Sequence, residues 1–171
     1  NLITFTLTEA SPSPSVVTTQ NVTNLASTTV TANGNLISLG LPNATDYGHC
    51  WSTQPNPTIN NSKTSKGNAT VTGAFTSELT GLTPNTTYYL KSYATNQMGT
   101  SYGQEVTFTT VALYNVTNEQ SVQGVTSGSD VIVYNGGHFN VNQTSTLNNI
   151  WVKPGGKLTL TNGNTLNANR V

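Results

Sequence analysis

The chain has 171 residues, room for one or two domains, and only 7% of them are charged, against roughly 25% in an average soluble protein. Six basic residues balance six acidic ones, which excludes the clustered cations that nucleic acid or an anionic membrane surface requires. No apolar run approaches the roughly 18 residues of a membrane-spanning helix, and the single cysteine, Cys50, excludes a disulfide within the chain.

Polarity comes instead from 32 Thr, 15 Ser and 23 Asn. Threonine suits strands, whereas Asn and Gly suit tight turns. Long runs of helix-favouring Glu, Lys, Arg or Gln are missing. The composition therefore implies an all-β protein. Seven Asn-x-Ser/Thr sequons, the first at Asn21, are about what this composition yields by chance.

Residues 2–8, LITFTLT, alternate as one strand, and ASPSPS at 10–15 then reads as a linker, because two prolines cannot extend a ladder. A strand isolated before a linker is expected to be the end of a preceding domain or a strand donated to a neighbouring molecule. From 16 to 110 the chain breaks into short alternating runs: VVTTQNV, STTVTANGNLISL, TDYGHCWST, TVTGAFTSEL, TTYYLKSYATN and SYGQEVTFTT. Turn signals such as QPNP, SKGN and LTPN separate them. So many short runs predict an antiparallel β-sandwich.

Within LTPNTTYYLKSYATN, Leu82, Pro84, Thr86, Tyr88 and Leu90 share one period-two face. Leu-x-Pro-x-Thr-x-Tyr entering a strand predicts a tyrosine corner, with Tyr88 on the core and its hydroxyl on nearby backbone. Tyr89, Lys91 and Tyr93 fall on the opposite face, so Tyr89 and Tyr93 become candidates for a contact surface. Cross-strand aromatic pairing is the plainer reading. The stretch from GHCWSTQPNPT through GAFTSELTGLTPNTTYYLKSYATN to GTSYGQEVTFTT resembles the fibronectin type III-like repeats of large secreted and surface proteins of Bacteroidetes. The resemblance covers about residues 16–110. It implies a seven-stranded sandwich used as a spacer or binding module, and it brings no catalytic residues.

After Thr110 a polar connector is expected over 111–130. An internal repeat follows, VIVYNGGHFNVNQTSTLNN from Val131 and IWVKPGGKLTLTNGNTLNA from Ile150. Gly136 and Gly137 match Gly155 and Gly156, Phe139 matches Leu158, and Leu147 matches Leu166. Paired glycines at a corner with alternating apolar positions predict rungs of a β-solenoid over 131–171, with a small second β-domain as the rival. An open rung at one end and an isolated strand at the other suggest a segment of a longer modular protein, or a subunit completed by its neighbours.

No constellation for chemistry emerges. Asp46, His49 and Cys50 are the tightest cluster, but on a strand His49 faces away from the other two, and metal sites want three or four converging ligands. Cys50 itself reads as a small buried hydrophobe. Neither a nucleophile elbow nor a pair of carboxylates in a shared motif is present. The sequence implies no enzyme and no cofactor. Trp51, Tyr89, Tyr93 and Trp151 remain as candidate binding aromatics, and Trp151 is the best candidate for an exposed one.

The expected function is a non-catalytic structural or adhesive module of an extracellular surface protein or filament. Its expected partners are other copies of itself or neighbouring domains. The alternative is a carbohydrate-binding module appended to a secreted hydrolase, with polysaccharide as the partner.

Overall fold

A computed structural model of the chain describes residues 10–121, 125–141, 144–160 and 165–168. The strand expected over 1–9 lies outside the described residues. Every regular element described is a β-strand. By contacts the chain divides into two units. Of the described residues, the first gathers those up to Asn21 with Ala32–Ser77 and Tyr89–Thr107. The second gathers Val22–Thr31, Glu78–Tyr88 and everything from Phe108 onward.

Residues 16–110 form two sheets. One contains β1 (Val16–Thr23), β2 (Val30–Ser38) and β5 (Gly73–Leu79) in the order β1-β2-β5. The other contains β3 (Asp46–Ser52), β4 (Ser62–Lys63), β6 (Thr87–Asn96) and β7 (Gly99–Tyr102) in the order β4-β3-β6-β7, with β8 (Val106–Thr109) also pairing β6. Its β3, β4, β6 and β7 pairings are antiparallel. Alternation explains the faces. In β5 Phe75, Ser77 and Leu79 are buried while their neighbours are exposed.

In the first unit Val17, Leu36, Ala44, Ala69, Phe75 and Ala94 form one buried cluster drawn from both sheets, with Tyr47 packed edge-on to Phe75. A buried ring such as Phe75 contributes about 2–3 kcal/mol. The run SYGQEVTFTT, expected as one strand, is broken into β7 and β8. At Gly103 a side chain would meet the Thr19 backbone nitrogen at 2.5 Å, so the chain passes close to β1 there.

In the second unit the pairing changes from antiparallel to parallel. β9 (Leu113–Val116), β11 (Asp130–Val133) and β14 (Asn149–Val152) lie side by side. So do β10 (Glu119–Ser121), β12 (His138–Val141) and β15 (Lys157–Leu160). A short third ladder joins β13 (Ser145–Thr146) to β16 (Leu166–Asn167). Asp130 pairs Asn149 and His138 pairs Lys157, both at the 19-residue offset of the sequence repeat. Val116, Val131, Val133, Phe139, Val141, Leu147 and Ile150 fill the interior between the ladders.

The glycine pairs have separate jobs. Gly136 and Gly155 adopt φ of 79° and 82°, which side-chain-bearing residues rarely take. A side chain on Gly137 would strike the Val116 carbonyl oxygen, and one on Gly156 would lie 2.7 Å from that of Val133. The first glycine turns the corner and the second lets one coil sit against the one before.

One expectation is corrected. The supposed connector over 111–130 contains a further level of the ladders, β9 and β10. Its corner holds two residues, Thr117 and Asn118, where the next two corners hold four. The glycine pair is what is missing, so the repeat leaves no mark in the sequence.

A candidate binding groove

The second unit contains a cavity of about 690 Å³ open to solvent, lined by Asn24, Leu25, Ala26, Thr29, Thr31, Glu78, Asn148, Asn149 and Trp151. Its walls come from the turn after β1, the start of β2, the end of β5 and the strand β14. Asn24 takes a φ of 50°, tolerated by Asn better than by most residues, and its amide donates to Thr31 Oγ1 at 3.1 Å. The Thr31 hydroxyl in turn donates to Glu78 Oε1. On the other wall Trp151 aligns with Ile132 of β11 on the face turned away from the coil interior, and its indole is 36% exposed.

Asp130 fixes the base of this region. Its side chain is fully buried. Its Oδ2 accepts the Ser27 backbone N–H at 2.7 Å, and its Oδ1 accepts amide hydrogens from Asn148 and Asn149, each at 2.9 Å. Asn148 donates its other amide hydrogen to the Leu25 carbonyl at 3.2 Å. A buried carboxylate is tolerated because three neutral donors satisfy it.

In the first unit two further polar clusters are built on β3. The His49 ring is fully buried against Phe75, with Nδ1 2.9 Å from Ser77 Oγ. Burial lowers the His49 pKa from 6.5 to about 4, with the Asn33 backbone opposing and Lys66 assisting. Among the described residues the neighbouring Ser92 Oγ makes no hydrogen bond. The Ser–His pair lacks both an acid and access to solvent, so it is not poised for nucleophilic chemistry.

On the opposite face of β3, Asp46 accepts Ser65 Oγ–H at 2.7 Å and the Gly67 N–H at 3.2 Å. The Tyr93 hydroxyl lies 2.7 Å from both Asp46 Oδ2 and the Thr64 carbonyl, which share its one proton. Burial alone would raise the Asp46 pKa, but the donors from Ser65, Tyr93 and Gly67 outweigh it and hold it below the usual carboxylate value. Burial first, and then the Asp46 carboxylate, push the Tyr93 hydroxyl well above an ordinary phenol. Burial also raises the Cys50 thiol to about 11.

Of the candidate aromatics, Tyr93 is corrected. It does lie on the outer face of β6, but the segment through β4 crosses over it and leaves it fully buried. Lys63 Nζ sits 5.9 Å from its ring centre. Trp51 pairs Leu90, half-buried, and shares the strand face of Tyr47 and His49, whereas Tyr89 pairs Ser52 on the other face. Trp51, Tyr89 and Tyr93 therefore form no common surface.

Leu82 is buried and Pro84 partly so. The Tyr88 hydroxyl accepts the Thr83 N–H at 3.0 Å while its ring stacks on Phe108 at 5.6 Å. Gly136, Gly137, Gly155 and Gly156 sit at the corners of the coils. Sequence reasoning missed Asn24, Thr31, Glu78, Asp130, Asn148 and Asn149. A signal that could have found two of them is the alignment of Asp130 with Asn149, one residue before the repeat as read. Among the described residues, no three His, Cys, Asp or Glu side chains gather as a metal site would require.

No family model matches the chain, and no curated protein matches it. Solved structures similar to it include the sensor domain of an anti-sigma factor of Pseudobacteroides cellulosolvens. That domain is 18% identical over 60% of this chain and 99% of its own, with a TM-score of 0.42. The fibronectin type III domain of human fibronectin type III domain containing protein 3 is 20% identical over 61% of this chain and 92% of its own, with a TM-score of 0.42. The sixth such domain of that human protein is 22% identical over 62% and 92%, with a TM-score of 0.38. Fibronectin type III domains thus stand among the structural neighbours, at low identity.

Proposed function

We propose that the chain is a non-catalytic structural segment of an extracellular surface protein, in which a fibronectin type III-like sandwich passes directly into a β-solenoid. The observation that carries this reading is the Asp130 carboxylate. It is buried, and its two oxygens tie Ser27 to Asn148 and Asn149. A spacer must transmit force without a slack joint, and a satisfied buried carboxylate holds its partners in one geometry. The low charge and the hydroxyl- and amide-rich faces suit a surface that does not attract polyanions.

Antibody raised against the folded chain should label intact cells of the organism that makes it. Labelling that appears only after permeabilisation would overturn the extracellular assignment. The joint is tested separately. Asp130→Ala removes the acceptor of the buried Ser27 N–H, and an unmet buried group costs about 1–3 kcal/mol. In hydrogen exchange the Ser27 and Asp130 amides should lose protection together in this variant. Unchanged protection would refute the joint.

A further inference from the structure

We propose that the groove between Trp151 and Glu78 is a binding site for a neutral oligosaccharide. Six residues carry the argument: Asn24, Thr31, Glu78, Asn148, Asn149 and Trp151. All belong to the second unit. The volume, about 690 Å³, falls within the roughly 300–1,000 Å³ usual for small-ligand sites.

The lining selects the chemistry. Among the described lining residues there is no Lys or Arg, which favours a neutral ligand over a phosphate, sulfate or carboxylate. Among the described lining residues the single carboxylate, Glu78, falls far short of the six or more oxygen ligands that calcium takes. Amides and hydroxyls outnumber apolar side chains, which disfavours a lipid tail or an apolar peptide. What remains is a ligand rich in hydroxyls, each able to donate and accept, with an apolar face for an indole.

The polar groups are also held ready. Thr31 occupies one Glu78 oxygen and leaves the other open to the groove. Asn149 gives one amide hydrogen to Asp130 and keeps the other, with its carbonyl, for a ligand. Asn148 is pinned through both amide hydrogens. Groups fixed by partners behind them lose little entropy when a ligand arrives. Trp151, exposed at the rim, supplies the platform on which a sugar ring's C–H face stacks.

The test uses the whole chain as a Trp51→Phe variant, in which Trp151 is the only tryptophan. It is titrated with soluble β-glucan, xylan, mannan and galactan, followed by tryptophan emission and by retardation in polysaccharide-containing gels. At least one of these should shift the emission to the blue and retard the protein. Trp151→Ala in the natural background should weaken retardation at least tenfold, and Glu78→Gln several-fold; the thermal midpoint should hold for the exposed Glu78 and fall only modestly for Trp151, which is 36% exposed, so that each variant is compared while folded. The parent Trp51→Phe variant should bind as the natural chain does. Absence of retardation by all four polymers would overturn the proposal, as would retardation indifferent to Trp151→Ala. A blue shift that follows protein concentration instead of sugar would overturn it too, and would assign Trp151 to self-association.

Discussion

His49 shows how a single residue can couple the sandwich core to pH. Its ring is buried, bonded to Ser77 and held neutral, with its pKa lowered to about 4 from 6.5. Below pH 6.5 the unfolded chain takes up a proton that the folded chain refuses until about pH 4. The stability associated with the neutral ring is therefore complete above pH 6.5 and is lost as pH falls toward 4, by roughly 3 kcal/mol across the window. Urea midpoints at pH 7 and pH 4.5 should differ markedly in the natural chain and much less in His49→Leu. Equal acid sensitivity in the two would show that another group sets it. Asp46 contributes at the lower edge only. Its carboxylate is held below the usual value, so its share disappears as pH falls through and below the ordinary carboxylate range.

The same residue marks a limit of reading by alternation. That His49 and Asp46 face opposite ways follows from period two. That Tyr93 is buried does not, because its cover comes from β4 and the segment after it, a two-residue strand with no hydrophobic signature.

Among the elements, the coil corners make the sharpest claim. Gly136→Ala should cost about 1 kcal/mol, the penalty of forcing a side chain into positive φ. Gly137→Ala should cost more, because its methyl group meets a backbone carbonyl that cannot rotate away. Thermal midpoints of the two variants should fall in that order, and the reverse order would contradict the close approach of adjacent coils.

These corners are also where the sequence was most informative. Paired glycines 19 residues apart, with Phe139 over Leu158, declare stacked levels by spacing alone. The preceding level was silent because Thr117 and Asn118 turn its corner without glycine. Asp130 was silent for a different reason. Its partner Ser27 lies 103 residues earlier in the chain, and no local pattern announces a contact of that range.

For the whole molecule, the carboxylates follow one rule wherever their side chains are described. Asp46 is held by Ser65, Tyr93 and Gly67, Glu78 by Thr31, Glu105 by the Asn56 N–H, and Asp130 by Ser27, Asn148 and Asn149. These are neutral donors throughout. Hydrogen bonds to neutral groups are short-ranged, and dissolved ions screen them far less than they screen pairs of exposed charges. Stability at pH 7 should therefore change by less than about 1 kcal/mol between 0.05 and 1 M sodium chloride. A steep loss over that range, read from urea midpoints, would mean that long-range charge attraction matters after all.

Cys50 carries a consequence for anyone who handles the protein. With its thiol buried and raised to about 11, the folded chain presents no reactive sulfur at neutral pH. It is a natural blank for thiol chemistry. A single Val71→Cys exchange, at a side chain 74% exposed, would create one addressable point for a dye, a spin label or a tether without first removing the native cysteine.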